Sequence, residues 1–453
     1  MSKQIEQALA DCDDTDVVVM GEGVMKRTGE VFKELFGEAP AIIVADENTW
    51  QAAGEGVRNS LDRTGIDVVE EIRLPGHPTL YASYDNCVAL RNRLAVHEGA
   101  VACSIGSGTL NDLTKRACDE LGRRYMNVCT AASMDGYAAF GASLTEDGFK
   151  HTMSCRAPQG LICDLTVMAA APSRCTATGL GDLIEKVPAG ADWILADELG
   201  IEPIDGAVWD LVQGPLPRAI SDPAGLANGQ PTAFEGLVEG LTMSGLAMQK
   251  YRVSSRPASG AGHQFSHVWE MEHLGMDQEP PLTHGFKVGL GTIAMLALWE
   301  NVLDLDLTGL DIDAAVRSWP SRREMESKVR SNFTGDMVEP AVEQTLAKYL
   351  DESALRDRLN LVRQKWPQIQ QRCREQVMPA NQVEGILREV GGVYHPSQIG
   401  LGEKRFHDTY YRCQMIRSRY TLLDFLLEAG LLEREVERLF QAGGFWAERP
   451  WGE

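Results

Sequence analysis

The stretch Val101-Ala-Cys-Ser-Ile105-Gly106-Ser107-Gly108-Thr109-Leu110-Asn111-Asp112-Leu113-Thr114-Lys115 runs from an apolar segment through a glycine-rich turn into a helix-like segment. A buried strand feeding a helix in this way leaves backbone N–H groups at the helix start free to receive a pyrophosphate. Gly106 and Gly108 let that backbone approach a ligand closely, and Thr109 and Asn111 add donors. The spacing departs from Gly-x-Gly-x-x-Gly, so a modified nucleotide-binding fold is predicted.

Outward from this stretch, short apolar runs at 17–20, 41–45, 68–74 and 125–129 read as further buried strands. They alternate with amphipathic segments such as 24–36 and 80–97. Such alternation predicts an α/β domain with a largely parallel sheet, whose ligands bind beyond the carboxyl ends of the strands. After Pro172 the strand signal nearly vanishes. Residues 234–251, 285–302, 321–331, 338–349 and 355–377 read as helices, and 420–440 as a helix pair. The expected organisation is an α/β nucleotide-binding domain over 1–171 and an all-helical domain over 172–453. The Pro- and Gly-rich stretch 214–231 reads as a long loop, and the charged segment 356–374 as a solvated helix face.

Two other segments bear on a cofactor. Gly21-Glu22-Gly23 follows the first strand, but Lys26 occupies the third glycine position; the turn is either a weak dinucleotide fingerprint or a tight strand-to-helix turn. Asp46 closes the second strand, where it would accept hydrogen bonds from an adenosine ribose, favouring NAD over NADP, or cap a helix. Thr130-Ala131-Ala132-Ser133-Met134-Asp135 follows the fifth strand with small and hydroxylated residues suited to pressing against a cofactor; Asp135 is placed to bind a substrate hydroxyl.

Four of the nine histidines, His263, His267, His273 and His284, fall in one stretch. His263 and His267 are four apart and share a helix face. Gln264 stands where a helical metalloprotease needs its glutamate, which rules that chemistry out. An anionic ligand must come from elsewhere, and Asp182 in Gly179-Leu-Gly-Asp182-Leu-Ile-Glu-Lys186 is the best candidate. The bland alternative is that these histidines cap helices or solvate a surface.

At 453 residues the chain is long enough for two cores. A net charge of −22 argues against nucleic acid, and it demands local cations for any anionic substrate. Ten scattered cysteines without a Cys-x-x-Cys pair read as reduced, mostly buried side chains. The most apolar run, 288–299, is shorter than the roughly 20 residues of a membrane span and reads as a buried helix. With no hydrophobic core at the N-terminus, a cytoplasmic protein without a membrane partner is expected.

Taken together, residues 106–115, 130–137, 148–150, 179–186, 254–270 and 284–289 resemble the sn-glycerol-1-phosphate dehydrogenase family. That family lies within the iron-containing alcohol dehydrogenase and dehydroquinate synthase-like superfamily. The resemblance implies the dehydroquinate synthase-like fold, a homo-oligomer, and interconversion of dihydroxyacetone phosphate and sn-glycerol 1-phosphate with NAD or NADP. It implies Asp182, His263 and His284 as ligands of one divalent metal; zinc fits such N/O ligation, as nickel or iron would. Gly106, Gly108, Thr109, Leu110, Asn111, Asp112, Thr130, Ala131, Ala132 and Ser133 are implied as cofactor contacts. Asp135, Asp182 and His267 are implied as substrate contacts, with Asp182 and His267 in catalytic roles. Lys150, Lys186 and Arg256 are the candidate cations for a substrate phosphate, each equally readable as a surface charge. Ala139, Phe286 and Gly262 depart from residues common in the superfamily. A polyol dehydrogenase, a sugar-phosphate cyclase and a non-catalytic nucleotide-binding protein are the competing readings.

Overall fold

The computed structural model describes residues 3–146 and 149–451, with the side chains of Lys3 and residues 149–151 outside that description. Its sheet is built from β1 Val17–Gly21, β2 Ala41–Asp46, β3 Val68–Leu74, β4 Val101–Ile105, β5 Tyr125–Cys129 and β8 Gly160–Asp164. The strands lie in the order β1-β8-β5-β4-β2-β3, and every pairing is parallel. Between β5 and β8, β6 Ala142–Glu146 and β7 Phe149–Met153 form a separate antiparallel pair.

A parallel sheet is covered on both faces, so its strands are apolar throughout. In β2, Ile42 and Val44 face the helices Tyr84–Ala95 and Gly108–Glu120, while Ile43 and Ala45 face Thr28–Phe36 and Glu55–Arg63. Five strands match the predicted apolar runs. The sixth, β8, escapes sequence reading because Gly160 and Asp164 bracket only three apolar residues.

No strand follows Asp164 among the described residues; the rest of the chain is helical. The stretch 214–231 is not one long loop. It contains the short helices Leu216–Ala219 and Pro223–Ala227, each with a proline in its first turn, where a missing N–H costs nothing. The charged helix Glu352–Gln376 is only partly a solvated face, since Arg358 pairs with Glu428 and Lys365 and Arg372 with Glu198.

His284–Leu303 forms the axis of the helical part. By length and composition it would cross a membrane, with a mean hydropathy of 1.3, but 83% of its most apolar window is buried inside the protein. Val18, Cys129, Leu161 and Cys163 of the sheet share one apolar core with this helix and its neighbours. The turns after β2, β4 and β5 therefore leave the sheet at one end. The chain steps from β2 outward to β3 and then returns to β4 on the other side, which makes the β2/β4 crevice a topological switch point.

Candidate active site

Three helices bring the candidate metal ligands together. Asp182 lies on Ser173–Ile184, His263 on Ala261–Met271, and His284 opens His284–Leu303. One ligand atom from each lies within 4.8 Å of the others. The approach depends on glycine. A Cβ on Gly181 would sit 2.4 Å from the Gly285 carbonyl oxygen, one on Gly285 would sit 2.0 Å from that of Thr178, and one on Gly262 would meet Glu185 Cγ at 2.8 Å. Each candidate ligand thus stands beside a glycine, and Gly181 and Gly285 let two helix backbones nearly touch.

Carboxylates hold the imidazoles from behind. His284 Nδ1 is 2.7 Å from Glu270 Oε1, and His267 Nδ1 is 3.3 Å from Glu270 Oε2. His263 Nε2 lies 3.2 Å from Asp182 Oδ1, and its Nδ1 lies 2.9 Å from Glu185 Oε2. That last pair is close but misaligned: both atoms are buried without a hydrogen bond. A metal-binding imidazole donates its other ring N–H to a carboxylate, and Glu185 stands beside Nδ1 for that role. One carboxylate and two imidazoles, backed by two more carboxylates, suit a divalent cation with N/O preference.

The electrostatics agree with this. Burial pulls the His263 pKa down, but Glu185 and the hydrogen bond to Asp182 outweigh it and raise it to about 9. Burial pushes Asp182 up, yet Lys186, His263 and His284 hold it well below the usual carboxylate range. The position seeks positive charge. His267 behaves oppositely: burial outweighs Glu270 and lowers it to about 3, so this imidazole is neutral at ordinary pH. His273 takes no part. It is exposed and ends its helix with a left-handed φ of 56°.

Asp135 and Lys186 join the same cluster. Lys186 Nζ, fully buried, is 2.7 Å from Asp135 Oδ2 and 3.6 Å from Asp182 Oδ1. The Asp135 backbone N–H donates to Asp182 Oδ2 at 3.2 Å, and Ser244 Oγ donates to Asp135 Oδ2 at 2.8 Å. Arg256 does not join it. Its buried guanidinium donates to the carbonyls of Tyr420 and Asp192, with Nε 3.3 Å from Glu202, so its charge is engaged away from the cluster. The side chain of Lys150 lies outside the described residues.

On the sheet side, Gly106, Gly108 and Thr109 at the carboxyl end of β4 face Thr130–Ser133 at the end of β5. The Ser107 hydroxyl touches that of Ser133 and donates to the Ala131 carbonyl at 3.3 Å. The side chains of three expected cofactor contacts are engaged within the protein. Leu110 packs into the core. Asn111 accepts from Tyr125 Oη at 2.8 Å and donates to the Tyr137 carbonyl. Asp112 accepts from the Ser143 N–H and from Lys115. A buried side chain already satisfied in this way offers no donor outward. Asp46 caps the next helical turn, accepting from the Thr49 N–H at 2.7 Å, which was its alternative reading. The Gly21–Gly23 turn cannot cradle phosphate, because Asp164 already takes the N–H groups of Gly23 and Met25.

Glu185 and Glu270 are the residues that sequence reading missed. A signal existed, since each stands three residues after a candidate site residue, Asp182 and His267, and so on the same helix face.

Comparison with known proteins gives the family. The family model for iron-containing alcohol dehydrogenase matches residues 19–172. The glycerol-1-phosphate dehydrogenase (NAD(P)+) of Bacillus velezensis is 36% identical over 271 residues, covering 58% of this chain and 68% of that protein. The chain belongs to the glycerol-1-phosphate dehydrogenase family. The family's member from Halalkalibacterium halodurans is 29% identical over 435 residues, spanning 94% of this chain and 98% of its own length. Among solved structures, a probable glycerol dehydrogenase from Sinorhizobium meliloti superposes with a TM-score of 0.59 at 14% identity, covering 94% of this chain and 98% of that one; it shares the fold. The chain is thus an oxidoreductase of the iron-containing alcohol dehydrogenase fold.

Proposed function

We propose that this enzyme interconverts dihydroxyacetone phosphate and sn-glycerol 1-phosphate, using NAD(P)H, in the cytoplasm. The observation that carries the reading is the convergence of Asp182, His263 and His284 within 4.8 Å, at the seam between the sheet's carboxyl end and the helical part. Residues 1–171 would form the cofactor domain and 172–453 the substrate and metal domain.

Asp182, His263 and His284 would hold a divalent cation, which when bound supplies Lewis-acid polarisation of a ketone oxygen. A nicotinamide ring, when bound, supplies or accepts the hydride. Backbone groups of 106–109 and 130–133 would receive the cofactor beyond the carboxyl ends of β4 and β5, beside the switch point. Asp135, held by Lys186 and Ser244, would accept a hydrogen bond from a substrate hydroxyl. His267 is neutral, and with Nδ1 tied to Glu270 its Nε2 accepts a hydrogen bond, so it orients the substrate hydroxyl rather than storing a proton. Lys186 offsets the charge of Asp135 and Asp182 and is shielded by them.

The test is NADH and NADPH oxidation with dihydroxyacetone phosphate and with dihydroxyacetone, after chelation and after reconstitution with Zn²⁺, Ni²⁺ or Fe²⁺. Turnover of the phosphorylated ketone that disappears on chelation and returns with metal, giving the sn-1 product, is expected. Full activity in metal-free His263→Ala protein would falsify the mechanism, and equal turnover of both ketones would overturn the substrate.

A further inference from the structure

A dianionic substrate needs positive charge, and this site supplies mainly the opposite. Asp135, Asp182, Glu185 and Glu270 crowd around it, Lys186 is taken up by two of them, and Arg256 is enclosed elsewhere. A further cation approaches from the last third of the chain. Residues 414–421 connect the helix Glu403–Cys413 to Leu422–Glu428. Before this connection, Trp269 Nε1 donates to Thr409 and Arg412 pairs with Glu272. After it, the Leu422 N–H donates to Asp192 Oδ1 at 3.0 Å. Within it, Arg419 donates to Ser259 Oγ at 2.7 Å and to Ser255 Oγ at 2.8 Å, and Tyr420 O receives Arg256.

These contacts lay the connection along the helix that carries His263, His267 and Glu270. Arg417 stands in its middle, exposed, and its guanidinium makes no hydrogen bond or ion pair with any described residue. Its charge is near enough to bear on both Glu270 and His267, in keeping with the course of its segment along their helix. Burial lowers its pKa somewhat, with Glu270 opposing that shift. An arginine in that setting still keeps its charge.

We propose that Arg417 binds the phosphate of the substrate, with Arg419 as the strut that holds its segment against Ser255 and Ser259. The proposal rests on the reading of the enzyme as one for a phosphorylated ketone. The planar guanidinium offers paired N–H donors that match two phosphate oxygens, and such charge-assisted contacts are the strong ones. Sequence reading had no motif to lead there, because a lone arginine between two helices carries no pattern.

The experiment compares kcat/KM for dihydroxyacetone phosphate and for dihydroxyacetone in the metal-loaded wild-type, Arg417→Gln and Arg417→Lys enzymes. Calorimetric binding of glycerol 1-phosphate is a second readout. Arg417→Gln is expected to reduce the preference for the phosphorylated ketone by roughly 10–100-fold, mostly through KM, and to weaken glycerol 1-phosphate binding by a similar factor. Arg417→Lys should recover part of both. If the wild type prefers the phosphorylated ketone and Arg417→Gln leaves that preference and the binding intact, the role of Arg417 is overturned while the proposed function stands. If the wild type itself shows no preference, both fall together.

Discussion

Glu185 and His263 form the pair on which the metal chemistry of this site turns. With its pKa raised to about 9, His263 carries a proton at neutral pH, and a metal must displace it. Below about pH 9 the free imidazole fraction falls as pH falls, so metal affinity should rise by about tenfold per pH unit up to that value and then level off. Glu185 is the largest influence raising that pKa, and it also orients the ring. Glu185→Gln should therefore weaken zinc binding about 10–100-fold at pH 9, where only orientation counts, and by less at pH 7, where its removal also frees the imidazole. Competition with a chromogenic chelator across pH 6.5–9.5 measures both; an unchanged slope in the variant would sever Glu185 from His263. At this scale the sequence shows the candidate ligands but not their supports. His263, His284 and Asp182 are legible because metal-binding side chains are few in kind and cluster. Asn111 and Asp112 read as ligand donors because they are polar residues after a glycine-rich turn, and only the positions of Tyr125, Ser143 and Lys115 reveal that their side chains brace the fold.

At the scale of elements, hydrophobic period carried most of the reading. β3, β4 and β5 span the residues the apolar runs mark, and His284–Leu303 extends only slightly beyond its predicted limits. What periodicity cannot show is how closely two elements approach. The helices Ser173–Ile184 and His284–Leu303 meet so tightly that a Cβ at Gly285 would overlap the Thr178 carbonyl oxygen at 2.0 Å. A backbone carbonyl inside a helix cannot turn away as a flexible side chain does. Gly285→Ala should thus force the helices apart, with an overpacking cost of roughly 1–3 kcal/mol or more. The displacement falls on His284, the adjoining residue, so stability and metal site should fail together. Thermal melting with and without Zn²⁺ checks this: the variant should melt several degrees lower and lose the metal-induced rise. A lower melting temperature with the full metal response would show that the helices part without moving the ligand.

Over the whole molecule, the candidate cofactor segments leave the sheet while the candidate metal ligands stand on helices that follow it, and the segment 130–135 is where they join. Ser133 belongs to the turn after β5 that faces Gly106–Thr109. Two residues on, Asp135 donates its N–H to Asp182 and receives Lys186. Gly179 presses the Asp182 helix against the same segment, since a Cβ there would lie 2.0 Å from the Ala132 carbonyl oxygen. Asp182 is therefore braced from the sheet side, whereas His263 and His284 are braced by Glu185 and Glu270 within the helical part. Losing a histidine ligand should leave the sheet-side surface in place; losing Asp182 should not. His263→Ala is expected to bind NADH or NADPH within about threefold of the wild-type affinity, a difference of ~0.7 kcal/mol, while losing turnover and metal-induced stabilisation. Asp182→Ala removes the partner of buried Lys186 and of the Asp135 N–H, and it should weaken cofactor binding as well. Quenching of tryptophan fluorescence by the reduced cofactor, titrated in both variants, separates them. Equal loss of cofactor binding in the two would mean that the metal cluster, not the segment 130–135, shapes the cofactor surface.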